Sequence, residues 1–296
     1  MSQVLIADKI DQKVLDSFKK KSFVFDYKPE ITPEDLLGII SKYQGLMVRS
    51  RTKVTKEMIE AGKNLRVIGR VGSGLDNIDT DSAGKNKIKI VNAPGANANA
   101  VAEITIASIL SLLRLLEKGH SSMRTGLWLK KELKGQELQG KVVGIVGYGN
   151  IGKIVKRILD AFGAKTLIFS RRKKTASLNK LFQTADIVTI HLSLNAQTEK
   201  LINKKYLSLM KPSAYLVNFS RGKVVDEKDL YNILSEKKIK GAALDVYWHE
   251  PLEDMSPWRK LDNVLLTPHI GASTGEALTL ATKQVIEQII KILSGK

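Results

Sequence analysis

Arg221, Glu250 and His269 each lie shortly after a short apolar segment in the second half of the chain. Such segments, bounded by polar or turn residues, are typical of buried strands, and side chains that follow parallel strands line one edge of a sheet. A guanidinium there can bind a carboxylate, and an imidazole beside a carboxylate can transfer a proton near neutral pH. The set indicates proton transfer on a small anionic molecule. The three segments are residues 215–218, 241–246 and 264–267.

A glycine-rich motif supplies the strongest local signal. Residues 141–146 form an apolar segment that runs directly into Gly147-Tyr-Gly149-Asn-Ile-Gly152, and a helix is predicted over 153–162. Gly147 permits a tight turn, Gly149 lets the backbone approach a pyrophosphate, and Gly152 allows the helix to pack closely on the strand. The helix N-terminus adds amide donors and positive dipole. In this strand–helix context the motif predicts dinucleotide binding.

The residues after the next predicted strand, 166–169, bear on the choice of cofactor. An NAD site usually has Asp or Glu here to bind the ribose hydroxyls, whereas this chain has Ser170, Arg171 and Arg172. A serine and two guanidiniums can bind a 2′-phosphate, and no carboxylate is present to repel it. The loop therefore favours NADP(H). The alternative is an exposed basic loop that accepts either NAD(H) or NADP(H).

Apolar segments alternate with predicted helices along the whole chain, which predicts an α/β fold with parallel sheets covered on both faces. Thr32 followed by Pro33 marks a helix start. Residues 98–116 form a helix that is apolar nearly all round and is therefore expected in a core or against another subunit. Further strands are expected at residues 3–7, 45–48, 65–68, 89–92 and 187–190, and a terminal helix at 277–293.

Composition excludes several classes of protein. With 43% hydrophobic and 26% charged residues and a mean hydropathy of −0.11, the 296-residue chain is neither disordered nor a coiled coil. The absence of cysteine excludes disulfides, thiol nucleophiles and Cys-ligated metal, and fits a reducing cytoplasm. No His, Asp and Glu residues have metal-ligand spacing, so no metal is expected. An acid at Asp8 argues against a signal peptide, and no apolar run suits a membrane.

The net charge of +18 is the one unusual feature of the overall composition. Nucleic acid, a membrane surface or an anionic small molecule could each use such a charge. The basic residues are spread along the chain, and the one run of four, residues 171–174, has no interleaved aromatic side chains to stack bases. We interpret the excess as a solvated lysine-rich surface and do not expect a nucleic-acid partner.

Several motifs in a fixed order carry a family resemblance over essentially the whole chain. They are the glycine-rich motif, Val-Gly-Ser-Gly-Leu-Asp-Asn-Ile-Asp at 71–79, Asn-Phe-Ser-Arg-Gly at 218–222, Ala-Leu-Asp-Val-Tyr-Trp-His-Glu-Pro at 243–251 and Thr-Pro-His-Ile-Gly-Ala-Ser-Thr at 267–274. With them the chain resembles the D-isomer-specific 2-hydroxyacid dehydrogenases, and most of all their phosphoglycerate dehydrogenase branch. The resemblance implies a Rossmann nucleotide-binding domain at 93–270 and a flavodoxin-like substrate domain at 1–92 and 271–296, with the active site in the cleft. It also implies a homodimer formed through the nucleotide-binding domain by the helix after Pro94.

The resemblance implies roles for individual residues. His269 would be the general acid/base, Glu250 its partner, and Arg221 the group that binds the substrate carboxylate and carbonyl oxygen. Asp245 would contact the nicotinamide carboxamide. Asn150 and Ile151 would lie under the pyrophosphate. Further cofactor contacts are expected at Leu192, Phe219, Gly271 and Ala272 and at His269 itself. Backbone contacts to the substrate are expected at Val71, Gly72, Ser73 and Gly74.

The implied reaction is hydride transfer between a nicotinamide cofactor and C2 of a D-2-hydroxy acid. Arg49 and Arg70 resemble residues of the phosphoglycerate dehydrogenase branch that would lie near the phosphate of the substrate. The alternative is that both are surface arginines at strand ends. The expected substrate is therefore D-3-phosphoglycerate, oxidised to 3-phosphohydroxypyruvate in serine biosynthesis. Because the chain stops at Lys296, no regulatory extension and no serine feedback through one are expected.

Two other functions stay open at this point. A glyoxylate or hydroxypyruvate reductase that uses NADPH would fit Ser170 and its arginines. The same fold also serves dinucleotide-binding corepressors, but a scaffold has no need of the Arg221, Glu250 and His269 set. His249 adjoins Glu250, yet its spacing from Arg221 favours His269 as the base. The other two histidines are expected to support the cofactor pocket (His191) and to lie on the surface (His120).

Overall fold

The computed structural model describes residues 3–18, 23–171 and 175–295, which form two compact units. The first unit consists of Met1–Asn97 with Ser273–Lys296, and the second of Ala98–Ala272. Each unit contains one parallel sheet with helices between its strands. The predicted α/β class is confirmed.

The first unit is built on a five-stranded sheet within the described residues, in the order β2-β1-β3-β4-β5, and all of its strand pairs are parallel. The strand order reverses at β1, which lies between β2 and β3. Ligands of such sheets bind beyond the carboxyl ends of the strands at this reversal. The elements are β1 (Gln3–Ile6), α1 (Gln12–Phe18), β2 (Val24–Tyr27), α2 (Pro33–Ile39), β3 (Gly45–Val48), α3 (Lys56–Ala61), β4 (Val67–Arg70), α4 (Thr80–Lys85) and β5 (Lys89–Asn92).

The second unit contains a six-stranded parallel sheet in the part of the chain described, ordered β11-β10-β9-β8-β6-β7. Its order reverses at β6, the strand that leads into the glycine-rich motif. The elements are α5 (Ala98–Arg114), α6 (Leu116–Arg124), β6 (Val142–Val146), α7 (Asn150–Ala161), β7 (Lys165–Phe169), α8 (Leu178–Thr184), β8 (Ile187–Ile190), α9 (Lys204–Leu207), β9 (Tyr215–Asn218), α10 (Glu227–Ser235), β10 (Gly241–Leu244) and β11 (Val264–Leu266).

The last helix, α11 (Gly275–Leu293), returns to the first unit and packs on its sheet. A Cβ on Gly69 of β4 would lie 2.6 Å from side-chain atoms of both Val285 and Ile289, so only glycine admits the helix there. β4 covers Val67–Arg70, whereas the sequence predicts a strand at 65–68, because Gly69 and Arg70 pair with β3 on one side and with β5 on the other. The local pattern contains no sign of the helix that covers Gly69.

The long apolar helix is shorter than predicted. It ends at Arg114, and Leu115 adopts a left-handed conformation (φ 54°) before α6 continues at a bend of 66°. The carbonyl of Leu113 accepts a hydrogen bond from Gln136 N at 2.8 Å, so a later segment of the chain occupies the end of the helix. Among the described residues no single helix is long and apolar enough to cross a membrane. The bent pair of α5 and α6 together would be long and apolar enough, by length and composition only.

Candidate active site

His269 and Glu250 form a hydrogen-bonded pair in the second unit, beyond the ends of β11 and β10. The Nδ1 atom of His269 lies 2.6 Å from Oε2 of Glu250. With the carboxylate ionised, Nδ1 keeps its proton and donates a hydrogen bond to Glu250, which leaves Nε2 to exchange a proton with another molecule. The hydrogen bond that His269 donates to Glu250 is the main cause that raises the pKa of His269, against the opposing effect of burial. The pair therefore has the geometry and the charge of a general acid/base.

Glu250 is itself fixed by its own loop. Its Oε1 accepts a hydrogen bond from the backbone N of Tyr247 at 3.0 Å. Burial would raise the pKa of Glu250, but the hydrogen bonds from His269 and Tyr247 N outweigh it and lower the pKa. The charge of Arg221 acts in the same direction on Glu250 and lowers the pKa of His269. Arg221, Glu250 and His269 thus form one electrostatic group.

Asp245 holds the segment that contains His269. Its carboxylate is 1% exposed and accepts hydrogen bonds from Thr267 Oγ1 at 2.7 Å, Ile270 N at 2.8 Å and Gly271 N at 2.7 Å. His269 lies between these donors in a left-handed conformation (φ 52°), which is costly for a non-glycine residue unless neighbours fix it. A Cβ on Gly271 would approach Asp245 Oδ2 to 2.9 Å. Asp245 therefore determines where the imidazole stands, a role that the sequence did not indicate.

The turn that presents Arg221 depends on Asn218, the last residue of β9. The Asn218 side chain accepts from Ser220 N at 3.0 Å and from Ser220 Oγ at 2.8 Å, and donates to the Arg221 carbonyl at 3.1 Å. The Arg221 guanidinium donates from Nη1 to the Ser220 carbonyl at 2.8 Å. Asn218 is 1% exposed, so these bonds form in a dry environment where they are strong. Asn218 begins one of the motifs that carry the family resemblance, but its residue type alone indicated no role.

The three glycines of the glycine-rich loop are required for different reasons. Gly147 has φ 100°, and a Cβ there would lie 2.3 Å from the carbonyl oxygen of His191, so the protein itself requires glycine. A Cβ on Gly152 would lie 2.3 Å from the Gly147 carbonyl oxygen. At Gly149, in contrast, an added Cβ would meet no protein atom within 4 Å. Gly149 caps α7, and the open space beside it suits a pyrophosphate on the first amides of that helix, those of Asn150 and Ile151.

The remaining predicted cofactor residues that the structure describes lie near the glycine loop or near the segments that carry the acid/base pair. Gly147 N donates to the carbonyl of Phe169 at 2.8 Å, so the glycine loop is tied to the end of β7, where Ser170 and the exposed Arg171 follow. Leu192 has a methyl group 3.1 Å from the position of a Gly147 Cβ. Phe219 is buried, with a ring carbon 3.4 Å from the position of a Gly271 Cβ, and Ala272 is exposed. Arg172 lies outside the described residues.

The predicted substrate arginines lie on neighbouring strands of the first unit. Arg70 ends β4 and is in register with Val48 of β3, so Arg49 follows directly beside it. The Arg49 guanidinium donates to the Lys9 carbonyl at 3.2 Å. The Arg70 guanidinium lies against Gly72 (φ 145°), where a Cβ would stand 1.6 Å from Nη1.

The loop that begins at Arg49 is fixed by a buried carboxylate. Asp8, 2% exposed, accepts from Arg49 N at 2.5 Å and from Thr52 Oγ1 at 2.7 Å, and pairs with Arg51 Nε at 3.0 Å. Asp8 follows β1 and Arg49 follows β3, so both stand at the reversal of strand order in this sheet. Of the other predicted backbone contacts, Val71 N donates to the Val48 carbonyl at 2.8 Å. Ser73 Oγ donates to Asn97 Oδ1 at 2.8 Å, and Gly74 follows it.

The other histidines have different surroundings. His191 Nε2 lies 3.0 Å from Thr189 Oγ1, and burial lowers the pKa of His191 to about 3, so the ring stays neutral at physiological pH. Its carbonyl packs against Gly147, which links it to the glycine loop. His120 and His249 are exposed. Within the described ranges, no group of three or more His, Cys, Asp or Glu residues could hold a metal ion.

A family model matches more than half of the chain. It describes the NAD-binding domain of the D-isomer-specific 2-hydroxyacid dehydrogenases and covers residues 106–271. The match lies inside the second unit and includes the glycine loop together with Arg221, Glu250 and His269. The sequence-based resemblance to this family is confirmed.

Similar proteins include both phosphoglycerate dehydrogenases and reductases. D-3-phosphoglycerate dehydrogenase of Synechocystis sp. is 38% identical over 305 residues, which cover 100% of this chain and 55% of that protein. Hydroxypyruvate reductase of Thermotoga maritima is 38% identical over 300 residues, 98% of each chain. The chain thus spans little more than half the length of the first relative. A solved structure of an acyclic imino acid reductase in complex with NADPH and D-Arg superposes with a TM-score of 0.89 at 30% identity, covering 99% of this chain and 98% of that one.

Proposed function

The chain belongs to the D-isomer-specific 2-hydroxyacid dehydrogenase family, and we propose that it interconverts a D-2-hydroxy acid and its 2-oxo acid with a nicotinamide dinucleotide. The observation that carries this proposal is the 2.6 Å hydrogen bond between His269 and Glu250, placed beside Arg221 in the unit that holds the glycine loop. A protein that only bound a dinucleotide would not need an imidazole whose pKa is raised by a fixed carboxylate.

Each member of the set has a defined part in the reaction. Arg221 binds the carboxylate of the substrate and polarises the oxygen on C2. In the oxidation direction His269 Nε2 accepts the hydroxyl proton as C2 loses a hydride, and in reduction it returns a proton to the carbonyl oxygen. Glu250 keeps Nδ1 protonated, so Nε2 is the reacting nitrogen, and it stabilises the imidazolium that forms. A nicotinamide dinucleotide with its pyrophosphate held by the glycine loop would supply the acceptor or donor of the hydride.

The substrate that we propose is D-3-phosphoglycerate, whose oxidation to 3-phosphohydroxypyruvate would feed serine biosynthesis. Support comes from Arg49 and Arg70, which stand side by side at the carboxyl ends of β3 and β4. Arg49 also stands at the reversal of strand order, where parallel sheets bind ligands. Two guanidiniums on a fixed backbone suit a phosphate with nearly two negative charges. The 38% identical phosphoglycerate dehydrogenase adds a relative with this named activity.

Steady-state reduction of 3-phosphohydroxypyruvate, hydroxypyruvate and glyoxylate tests this substrate. We expect the highest kcat/KM for the phosphorylated compound, and we expect Arg49→Gln to reduce that value by roughly tenfold to a hundredfold because a charge-assisted hydrogen bond contributes about 1.5–3 kcal/mol. Hydroxypyruvate lacks the phosphate, so its kcat/KM should change little in the same variant. Arg259→Gln is the matched control, because the Arg259 guanidinium donates to two carbonyls of its own loop in the second unit.

A hydroxypyruvate or glyoxylate reductase is the second candidate. It is favoured by the Thermotoga maritima relative at the same 38% identity and by the absence of a carboxylate at Ser170. A higher kcat/KM for hydroxypyruvate or glyoxylate than for 3-phosphohydroxypyruvate, unaffected by Arg49→Gln, would replace the first candidate with this one.

For the cofactor we propose NADP(H) in preference to NAD(H). Ser170 stands directly after β7, where a carboxylate would bind the ribose hydroxyls of NAD, and the exposed Arg171 follows. A 2′-phosphate can form a charge-assisted hydrogen bond with the guanidinium and meets no repelling carboxylate at this position.

The variants Ser170→Asp and Arg171→Ala test the cofactor preference. We expect the wild type to favour NADPH by roughly tenfold in kcat/KM, since one partly screened contact to the phosphate contributes on the order of 1.4 kcal/mol. Ser170→Asp should reverse the preference, because it adds an acceptor for ribose hydroxyls and repels the phosphate. Arg171→Ala should lower kcat/KM for NADPH alone. If the wild type prefers NADH severalfold and Arg171→Ala changes neither value, the loop is only a basic surface.

We further propose that the chain forms a homodimer through its second unit. Four large apolar side chains on α6 and the segment after it are exposed, and Trp128 is 74% exposed. Soluble proteins seldom leave such side chains close together in the sequence unless another surface covers them. The family resemblance places the dimer contact next to this region. The four residues are Leu116, Met123, Leu127 and Trp128.

A further inference from the structure

The loop that carries Arg221 and the loop that carries Glu250 meet at Gly222. A Cβ on Gly222 would lie 2.2 Å from both the carbonyl carbon and the carbonyl oxygen of Tyr247, and 2.8 Å from N of Trp248. The contact is between two backbones, which cannot rearrange as a side chain can. A shift of the Glu250 loop therefore has to be transmitted to the loop that carries Arg221.

Trp248 adds a side-chain connection between the same two loops. Its Nε1 donates a hydrogen bond to the carbonyl oxygen of Val225 at 2.8 Å. The ammonium of Lys200 lies 4.9 Å from the centroid of the Trp248 ring and 3.4 Å from Oδ2 of Asp226. The indole is thus held at its nitrogen by one contact and on its face by another.

The acceptor of this hydrogen bond is itself anchored. Ile202 N donates to the Val224 carbonyl at 3.1 Å, and Asp226 N donates to the Ile202 carbonyl at 2.7 Å, so bonds on either side fix the backbone at Val225. Val225 is 2% exposed. The hydrogen bond from Trp248 therefore ties a surface loop to a rigid part of the unit.

The hydrogen bond of Trp248 lies one residue away from the hydrogen bond that holds the Glu250 carboxylate. Tyr247 N, which precedes Trp248, donates to Glu250 Oε1, and the other oxygen of Glu250 contacts His269. We propose that Trp248 is a positioning residue that holds the Glu250 loop against the Arg221 loop and thereby sets the hydrogen bond between Glu250 and His269. This inference rests on the proposed dehydrogenase function. It assigns a role to a side chain that touches none of the reacting groups.

The test compares Trp248→Phe with the wild type. Phenylalanine keeps an aromatic ring beside Lys200 but removes the N–H donor. We expect kcat to fall roughly threefold to tenfold, the size of one lost neutral hydrogen bond, and we expect unchanged affinity for the cofactor. The pKa of His269, measured by NMR titration of its imidazole, should fall because Glu250 is held less well. The charged groups that act on this imidazole, Glu250, Asp245 and Arg221, are all retained.

Two other variants separate positioning from general destabilisation. Trp258→Phe is the matched control. Trp258 is buried and lines the same small cavity as Trp248, but its Nε1 donates to the side chain of Glu227 in α10 at 3.2 Å and not to the backbone of either loop. This variant should lower the melting temperature and leave the His269 pKa unchanged. Lys200→Gln should lower the His269 pKa by less than Trp248→Phe. Loss of a positive charge alone would raise that pKa, so the sign of the change identifies the mechanism.

The NMR titration needs no substrate, so the outcomes can be told apart. A wild type without turnover on any 2-oxo acid would overturn the proposed function and leave the titration to decide the role of Trp248. If the His269 pKa in Trp248→Phe equals that of the wild type, or moves as it does in Trp258→Phe, Trp248 is only a structural residue. If Trp248→Phe does not fold, Lys200→Gln decides by the same titration, and an unchanged or raised His269 pKa overturns the role.

Discussion

Replacing His269 with alanine is expected to reduce kcat by roughly 10²–10⁴, the usual contribution of a general acid/base. The affinity for the cofactor should change little, because the glycine loop and α7 are untouched. Turnover measured in both directions, together with the dissociation constant of NADPH, checks this result. His249→Ala is the matched control: His249 is exposed and adjoins Glu250, and its loss should leave kcat near the wild-type value. Equal losses in the two variants would contradict the assignment of His269.

Glu250 determines the direction in which the pH–rate profile should move when this carboxylate is removed. Glu250 raises the pKa of His269, mainly through their hydrogen bond, so Glu250→Gln should lower that pKa. Oxidation needs the neutral imidazole and is lost as pH falls, whereas reduction needs the imidazolium and is lost as pH rises. Both limbs follow the pKa of His269, so both should move to lower pH in Glu250→Gln. A pH–rate profile that stays in place would remove Glu250 from this role.

The fold was largely predictable because most of its strands are continuous apolar segments. The predicted strands at Gly45–Val48, Lys89–Asn92, Ile187–Ile190 and Tyr215–Asn218 have the same bounds in the structure. Strands that are buried on both faces carry their own signal, since nearly every residue is apolar. The Thr32 cap was also predictable, and Thr32 Oγ1 accepts from Asp35 N at 3.1 Å.

The errors in the predicted bounds of strands and helices come mainly from contacts between distant residues. β2 at Val24–Tyr27 was not predicted, because the strand is only four residues long and Asp26 interrupts its apolar residues. Gly69 and Arg70 were left out of β4 because neither residue is apolar, and their place in the strand depends on pairing with β3 and β5. The break at Leu115 depends on the segment near Gln136. None of these contacts leaves a trace in the local sequence.

The candidate site was predictable for side chains that react and less so for those that hold them. The types and the order of Arg221, Glu250 and His269 are enough to suggest proton-transfer chemistry from the sequence alone. The role of Asp245 as the acceptor of three bonds from residues 267–271 depends on how β10 and β11 lie side by side. Trp248 gives no sequence signal for the same reason, since its acceptor is 23 residues away.

The loss of the Arg221 guanidinium is expected to have the second large effect. Two charge-assisted hydrogen bonds to the substrate carboxylate contribute about 1.5–3 kcal/mol each, so Arg221→Gln should reduce kcat/KM by roughly 10³. Arg221→Lys keeps the charge but not the planar pair of donors, and should reduce it by roughly 10². Steady-state kinetics on the best 2-oxo acid measure both values. Arg259→Lys is the control: the Arg259 guanidinium donates to the carbonyls of Leu252 and Glu253, and its replacement should retain the wild-type value.

The charge of Arg221 also predicts a shift in pH opposite to that of the carboxylate variant. Arg221 lowers the pKa of His269 electrostatically, so Arg221→Gln should raise that pKa and move both limbs of the pH–rate profile to higher pH. Arg221→Lys keeps a cation near the imidazole, so its profile should stay close to that of the wild type although its kcat/KM is lower. An arginine that bound substrate far from the imidazole would lower kcat/KM without moving the limb. Only a guanidinium that faces both the substrate carboxylate and His269 gives the loss of rate and the upward shift together.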